Sequence, residues 1–351
     1  MDVASTPSPA PLVPGATAPG AADDAFPVVF DDGCALCPRR CGAARDRAAG
    51  FCGESSTLRI ASYGRHFGEE PCFTGAYGSG AFFFSGCPCH CFFCQNAQIS
   101  LPDGLGHPVT DDQFHDMALR LIAEHAVNLN FVTPDHVWPH VEALCRRLRD
   151  RDGATLPFLF NSSGYHAEAL LDRALATCDI FLPDFKFCSP ALAAEVMGDA
   201  RYPEIALRAL DRILGAKGFL TPFDPSGTTP AREGLLVRHL VLPGHAEDSL
   251  ELLALLRREF GPLLPLSLMS QYTPTPAAIR RGAPWNRALD PTEYNQVIDA
   301  AESLGFENVF IQPLGSIPPG PAATTPDPFL PDFSSAAPFP GNPVPPPFPA
   351  S

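Results

Sequence analysis

The sequence predicts an α/β fold, a parallel sheet wound into a partial or full (β/α) barrel with a Cys-rich module ahead of it. Two observations predict it. From about residue 110 to residue 311, short apolar runs alternate with amphipathic helical patterns, and repeated βα units of this kind build parallel sheets. The body left when the proline-rich ends are set aside, residues 27–315, has the length of one barrel domain plus a small addition.

The elements follow in order. Phe82-Phe83-Phe84 reads as a buried strand emptying into a cysteine loop. Thr110-x-x-Gln113 has the form of a capping box, and Phe114, Met117, Ala118, Leu121 and Ile122 then recur at helical spacing. Asn128–Thr133 is a strand closed by Pro134. Val141, Leu144, Cys145 and Leu148 mark a helix face, and Pro157–Phe160 the next strand. Leu171, Ala174, Leu175 and Cys178 precede the strand Ile180–Leu182. Ala206, Ala209, Leu210 and Ile213 precede an apolar run over Leu235–Leu242. The helix Leu252–Phe260, the strand Leu264–Met269, a helix marked by Tyr294, Val297, Ile298 and Ala301, and the strand Val309–Ile311 complete the alternation. Chemistry in such folds gathers at the carboxyl ends of the strands.

Residues 1–26 and 316–351 are rich in Pro and Ala and carry no periodicity, so both read as disordered tails. Residues 27–75 form the Cys-rich module and residues 76–315 the barrel. The formal net charge is −15, and no basic run occurs, which disfavours a nucleic-acid partner. The first basic residue is Arg39, so a secretory or transit signal is not expected. No run of eighteen apolar residues occurs either, so no membrane span is expected and the chain is assigned to the cytoplasm.

Nine of the twelve cysteines lie between Cys34 and Cys94, a clustering that points to metal ligation. Cys87-x3-Cys91-x2-Cys94 directly follows the apolar run. Three thiolates at this spacing hold three irons of a 4Fe–4S cluster and leave the fourth open to an outside ligand. A zinc site, with Cys89 or His90 as fourth ligand, is the competing reading. Alternation along an extended loop turns Cys89 away from its neighbours, as a bystander thiol.

The spacing resembles that of the radical S-adenosylmethionine (SAM) enzymes. Other segments carry the resemblance further: Gly64-Arg65-His66-Phe67-Gly68-Glu69-Glu70-Pro71-Cys72, Cys94-Gln95-Asn96, Asn130-Phe131-Val132-Thr133-Pro134, Asn161-Ser162-Ser163-Gly164-Tyr165, Leu182-Pro183-Asp184-Phe185-Lys186, and Leu236 through Gly244. Together they are similar to the PflX branch, relatives of the pyruvate formate-lyase activating enzyme, over about residues 34–312. The resemblance implies a radical SAM barrel in which the reduced cluster cleaves SAM to a 5′-deoxyadenosyl radical that abstracts hydrogen from a substrate. It implies that Asp184 and Lys186 face the methionine moiety, with Lys186 a partner for its carboxylate. Ser162, Arg238 and Gln271 are implied as further cofactor contacts. Many family members carry Gly-Gly-Glu after the second strand to bind the methionine amino group. Here Val132-Thr133-Pro134 stands in that place, with no acid before Asp135, so either Thr133 and backbone carbonyls serve or SAM binds differently.

Ahead of the barrel, Cys34-x2-Cys37-x3-Cys41-x10-Cys52 is a complete four-ligand set for zinc or an auxiliary 4Fe–4S cluster. Cys72 is an alternative member, and Arg39, Arg40 and Arg45 stand near to offset thiolate charge. Cys145 and Cys178 read as core residues.

The resemblance leaves two catalytic readings open: activation of a glycyl-radical enzyme, or action on a small molecule or another macromolecule. Either needs a low-potential electron donor of the flavodoxin or ferredoxin type. A non-catalytic metal-binding interaction protein with proline-rich arms is the reading from another class.

Overall fold

The structure is a computed structural model that describes Phe30, residues 33–314 and residues 330–349. The strands, in chain order, are β1 Arg59–His66, β2 Ser79–Phe84, β3 His107–Pro108, β4 Leu129–Val132, β5 Phe158–Ser162, β6 Ile180–Pro183, β7 Gly234–Leu235, β8 Val237–Leu240, β9 Leu266–Met269 and β10 Val309–Ile311. One sheet runs β3-β1-β2-β4-β5-β6-β7 and the other β10-β9-β8. From β2 through β7 every pairing is parallel, as are both pairings of the smaller sheet. An isolated parallel bridge between Asp184 and Arg238 joins the two, so the strands curve around one lumen as a partial barrel.

Burial explains the order. All six residues of β2 are buried, as expected for a parallel strand covered on both faces. Phe82 turns toward the helix Asp111–Ala123, its ring 5.0 Å from Phe114 at right angles. Ala81 and Phe83 turn the other way and cluster with Ile99, Val132 and Phe333, the alternation that a strand imposes. The expected capping box is formed at Thr110 and Gln113. The helices Trp138–Asp150, Glu168–Thr177, Tyr202–Lys217 and Ala246–Phe260 follow their strands and bury the expected faces.

Three expectations need correction. The run Leu235–Leu242 is not one strand. Its first residue pairs with β6 and Val237 onward pairs with β9, a change of sheet that a continuous apolar run conceals. The module boundary at residue 75 also fails, because β1 runs antiparallel to β2 inside the main sheet.

The third concerns the C-terminal tail, expected to be disordered. Residues 330–349 lie against the body through three phenylalanines. Phe333 is 8% exposed, Phe339 stands 4.7 Å from Phe83, and Phe348 stands 5.7 Å from Tyr63. Tyr63 Oη donates to Pro347 O at 3.0 Å, and the Phe67 amide donates to Asn342 Oδ1 at 3.1 Å. The aromatic anchors outweigh a composition dominated by proline. The expected tail 1–26 lies outside the described residues. Among the described residues, no helix is long and apolar enough to cross a membrane.

Candidate active site

A cavity of about 910 Å³ opens at the carboxyl ends of the parallel strands and runs down the lumen. At its upper end lies the cysteine loop. Gly86 starts the loop with φ +81°, and a Cβ there would stand 2.5 Å from Glu54 Cγ and 2.7 Å from Cys52 O, so glycine is required by space as well as by backbone. The loop is then pinned by Gly86 N to Ile99 O at 2.7 Å, Cys87 N to Cys52 O at 3.3 Å and Cys94 N to Cys91 O at 3.0 Å.

Cys87, Cys91 and Cys94 all line the cavity. So does Cys89, contrary to expectation: it is 1% exposed, and its thiol meets those of both Cys87 and Cys91. Residues two apart on extended backbone share a face, so Cys89 falls on the side of Cys87 and not opposite it. The Cys89 thiol beside it, and then burial, push the Cys87 thiol well above its ordinary value. Burial, and then Cys87, raise Cys94, whose sulfur accepts from Ser100 Oγ at 3.2 Å.

The wall beside the thiols carries the expected polar residues. Thr133, Asn161, Ser162, Ser163, Asp184 and Lys186 all line the cavity. Gly164 makes their turn: its φ is +73°, and a Cβ would stand 2.3 Å from Asp184 O. Tyr202 Oη bridges the strand ends, 2.9 Å from the carbonyls of Ser163 and Asp184 and from the Lys186 amide. Lys186 Nζ is ion-paired with Asp184. Burial works against the ammonium, but Asp184 and the neighbouring cysteines hold its pKa well above the ordinary lysine value. Gln271 also lines the cavity and accepts from Gln312 Nε2 at 3.0 Å.

The floor is ionic. The loop after β1 enters from the opposite ends of the strands and lays Glu69 and Glu70 into the lumen. Asn130 and Asn161 donate to Glu69 Oε1 at 2.7 and 3.2 Å. Arg238 donates Nε to Glu70 Oε1 at 2.9 Å and pairs through Nη2 with both carboxylates. Burial opposes the Arg238 charge, yet the two carboxylates hold its pKa well above normal. The guanidinium expected to reach a cofactor carboxylate is therefore already engaged. Glu69 and Glu70 stood in a matched stretch of sequence, but nothing local assigned them this role.

The four N-terminal cysteines converge beside the loop. The thiols of Cys34 and Cys41 meet. Cys41 Sγ and Cys52 Sγ lie 3.3 and 3.5 Å from the point a Gly50 Cβ would occupy. Burial pushes the Cys37 thiol up to about 12, with Cys52 and Cys34 among its neighbours. Arg45, 1% exposed, sets Nη1 3.7 Å from Cys34 Sγ, and its Nε has no partner among the described residues. Arg39 instead donates to Pro88 O at 3.0 Å and ties the module to the cysteine loop. Cys72 is removed from the set: it is wholly buried with Leu159, Ile180 and Leu236. Cys145 and Cys178 lie in the core as expected.

Among the described residues, no group of three or more His, Cys, Asp or Glu side chains is drawn tightly enough for a metal ion. The fit of a metal group rests on donor chemistry: three cavity-lining thiols on a loop fixed by Gly86, with a lysine beside them, and an orphaned buried guanidinium nitrogen beside the other four. A thiol-ligated iron–sulfur group suits the first set, and a thiolate-held metal the second.

One arrangement escaped the sequence reading. Asp135, the first acid after Val132-Thr133-Pro134, is fully buried and pairs with His166, which reaches Ser162. The serine-to-histidine step of four residues was the only local signal.

No family model matches the chain. It is 23% identical over 283 residues to an uncharacterized protein, MJ0674, of Methanocaldococcus jannaschii, covering 79% of this chain and 76% of that one. Among solved structures it is similar to Streptococcus suis SuiB bound to precursor peptide SuiA, with a TM-score of 0.43 and 10% identity over 65% of this chain. That match covers 47% of SuiB, so the chain spans about half of its length. A spore photoproduct lyase mutant with dinucleoside spore photoproduct superposes with a TM-score of 0.44 and 14% identity, over 77% of this chain and 88% of that one.

Proposed function

We propose that the chain is a radical SAM enzyme. The observation that carries the reading is the meeting of Cys87, Cys91 and Cys94 with Asp184 and Lys186 on one strand-end cavity. A 4Fe–4S cluster on those thiols would leave one iron open and supply the electron for reductive cleavage of SAM to a 5′-deoxyadenosyl radical. The chain's own part is to bind, orient and shield. Cys87 and Cys94 lose their protons on ligation, and Lys186 is the cation beside the thiolates so formed. Asp184 holds the Lys186 ammonium at the wall, where it meets a ligand carboxylate. The buried strand ends keep water from the reacting atoms.

Cys34, Cys37, Cys41 and Cys52 hold a second metal, zinc or an auxiliary cluster, which braces the loop through the Cys87 to Cys52 hydrogen bond. The electron donor is a low-potential flavodoxin or ferredoxin. For the substrate, the activase reading takes a glycyl-radical enzyme. The wall contributed by Phe339 to Asn342 favours a second reading, a small molecule held inside the lumen.

The test is 5′-deoxyadenosine formation by anaerobically reconstituted protein with dithionite and SAM. Product is expected from the unaltered chain and none from Cys94→Ala. Equal product from both would overturn the assignment of the cluster loop.

A further inference from the structure

Ser162, His166 and Asp135 form a continuous buried chain that ends on the cavity wall. His166 Nδ1 lies 2.5 Å from Asp135 Oδ1, and His166 Nε2 lies 3.0 Å from Ser162 Oγ. The side chains of His166 and Asp135 have no exposed surface. Asp135 Oδ2 has no partner among the described residues. Ser162 alone of the three lines the cavity, on the strand end whose carbonyl accepts from the Asp184 amide at 2.9 Å.

The donor directions follow from the groups themselves. A carboxylate only accepts, so His166 Nδ1 carries the hydrogen toward Asp135. In the neutral ring Nε2 is then an acceptor, and the Ser162 hydroxyl must donate to it. The single hydrogen of Ser162 is thereby spent on the protein, and its remaining lone pairs are left for the cavity. A hydroxyl that elsewhere rotates to suit its ligand is held here as an acceptor, and the charge of Asp135 reaches the cavity only through it. Val132, Thr133 and Pro134 bring no carboxylate to this wall, and Asp135, the next residue, is turned away into this chain.

We propose that Ser162, oriented by His166 and Asp135, accepts a hydrogen bond from the α-amino group of SAM. The role rests on the radical SAM reading above. Ser162 is the contact, and His166 and Asp135 are positioning residues. An amino group presents donors only, so a fixed acceptor recognises it and discriminates against a ligand lacking it.

The test compares the affinities of reconstituted protein for SAM and for its analogue lacking the α-amino group, by equilibrium dialysis under anaerobic conditions. The unaltered chain is expected to prefer SAM. Ser162→Ala is expected to weaken SAM binding about tenfold, the scale of a hydrogen bond to a charged group, while leaving the analogue's affinity unchanged. His166→Phe should lose the preference in the same way. His166→Gln, which can return an acceptor near the Nε2 position, should restore much of it. A general loosening of the fold would weaken both ligands together and show no rescue. Undiminished discrimination in Ser162→Ala, or equal losses for both ligands, would overturn the proposal and leave the radical SAM reading standing. Failure of the unaltered chain to bind either ligand would overturn both.

Discussion

The two ends of the cavity handle charge differently, and the contrast separates what the chain is built to receive from what it is built to keep. At the upper end, Cys87 and Cys94 are pushed toward their neutral forms, and Lys186 with its single acid Asp184 is the charge beside them. At the floor, Arg238 is already clasped by Glu69 and Glu70, and Glu69 is further held by two asparagines. The upper end has unspent ligands; the floor has almost none. A floor whose charges are mutually satisfied keeps its shape when the upper end changes occupancy.

Breaking the floor should therefore cost stability before it costs metal binding. Arg238→Met leaves two buried carboxylates without their cation. Removing one member of a buried ionic group typically costs about 3–5 kcal/mol. The expected outcome is a loss of that size in the unfolding free energy from denaturant titration at neutral pH, with iron and sulfide uptake by the folded fraction close to that of the unaltered chain. A small loss would mean that the carboxylates reach water and that the contrast between the two ends is false.

What could be read in the sequence divides along the same line. The cysteine loop was legible because its three ligands fall within eight residues, and so was the Thr110 capping box, whose partners are three apart. The floor was not, since Glu69 and Arg238 are 169 residues apart and only the closing of the barrel joins them. Asp135 and His166 met for the same reason, across the ends of β4 and β5. In the segment 330–349 proline-rich composition points to disorder, while the three phenylalanines that anchor it are too far apart to show periodicity. The side on which Cys89 falls was open to the sequence, since residues two apart on extended backbone share a face.

Acid should sharpen the comparison by loosening the upper end first. His136 lies beneath the cysteine loop with Nε2 2.5 Å from Ser85 O, and burial lowers its pKa from 6.5 to about 4. The unfolded chain takes up a proton below 6.5 that the folded chain refuses until about 4, so stability falls as pH drops through that window. The gap is worth about 3 kcal/mol. At the floor, burial opposes the Glu69 carboxylate, but Arg238 outweighs it and holds the pKa below 4.5. The stabilisation from Glu69 is thus present above 4.5 and is lost only as pH falls through its lower folded value. His66, also lowered by burial, is the floor group that shares the His136 window. Denaturant midpoints between pH 6.5 and 4.5 should flatten more in His136→Asn than in His66→Asn. The reverse order would place the acid-sensitive end at the floor.

The smallest effect is expected where the C-terminal segment meets the cavity wall. Phe339 sits half-buried, 4.6 Å from His66 and 4.7 Å from Phe83, while the neighbouring Asn342 is held by the Phe67 amide and by His66 Nδ1 at 2.7 Å. Phe339→Ala removes apolar contact but leaves those hydrogen bonds. A fully buried phenylalanine would cost about 3–5 kcal/mol on truncation, and a half-buried one with room to relax should cost about 1–2. Such a loss confined to a terminal segment appears as local opening. Hydrogen exchange of amides in residues 330–349 should therefore quicken several-fold while β2 and β4 keep their protection. Unchanged exchange would mean that Asn342 and Phe333 hold the segment by themselves, and that the wall it forms belongs to the fixed floor. Faster exchange reaching β2 would mean that the segment is part of the barrel's core, with Phe83 depending on it for burial.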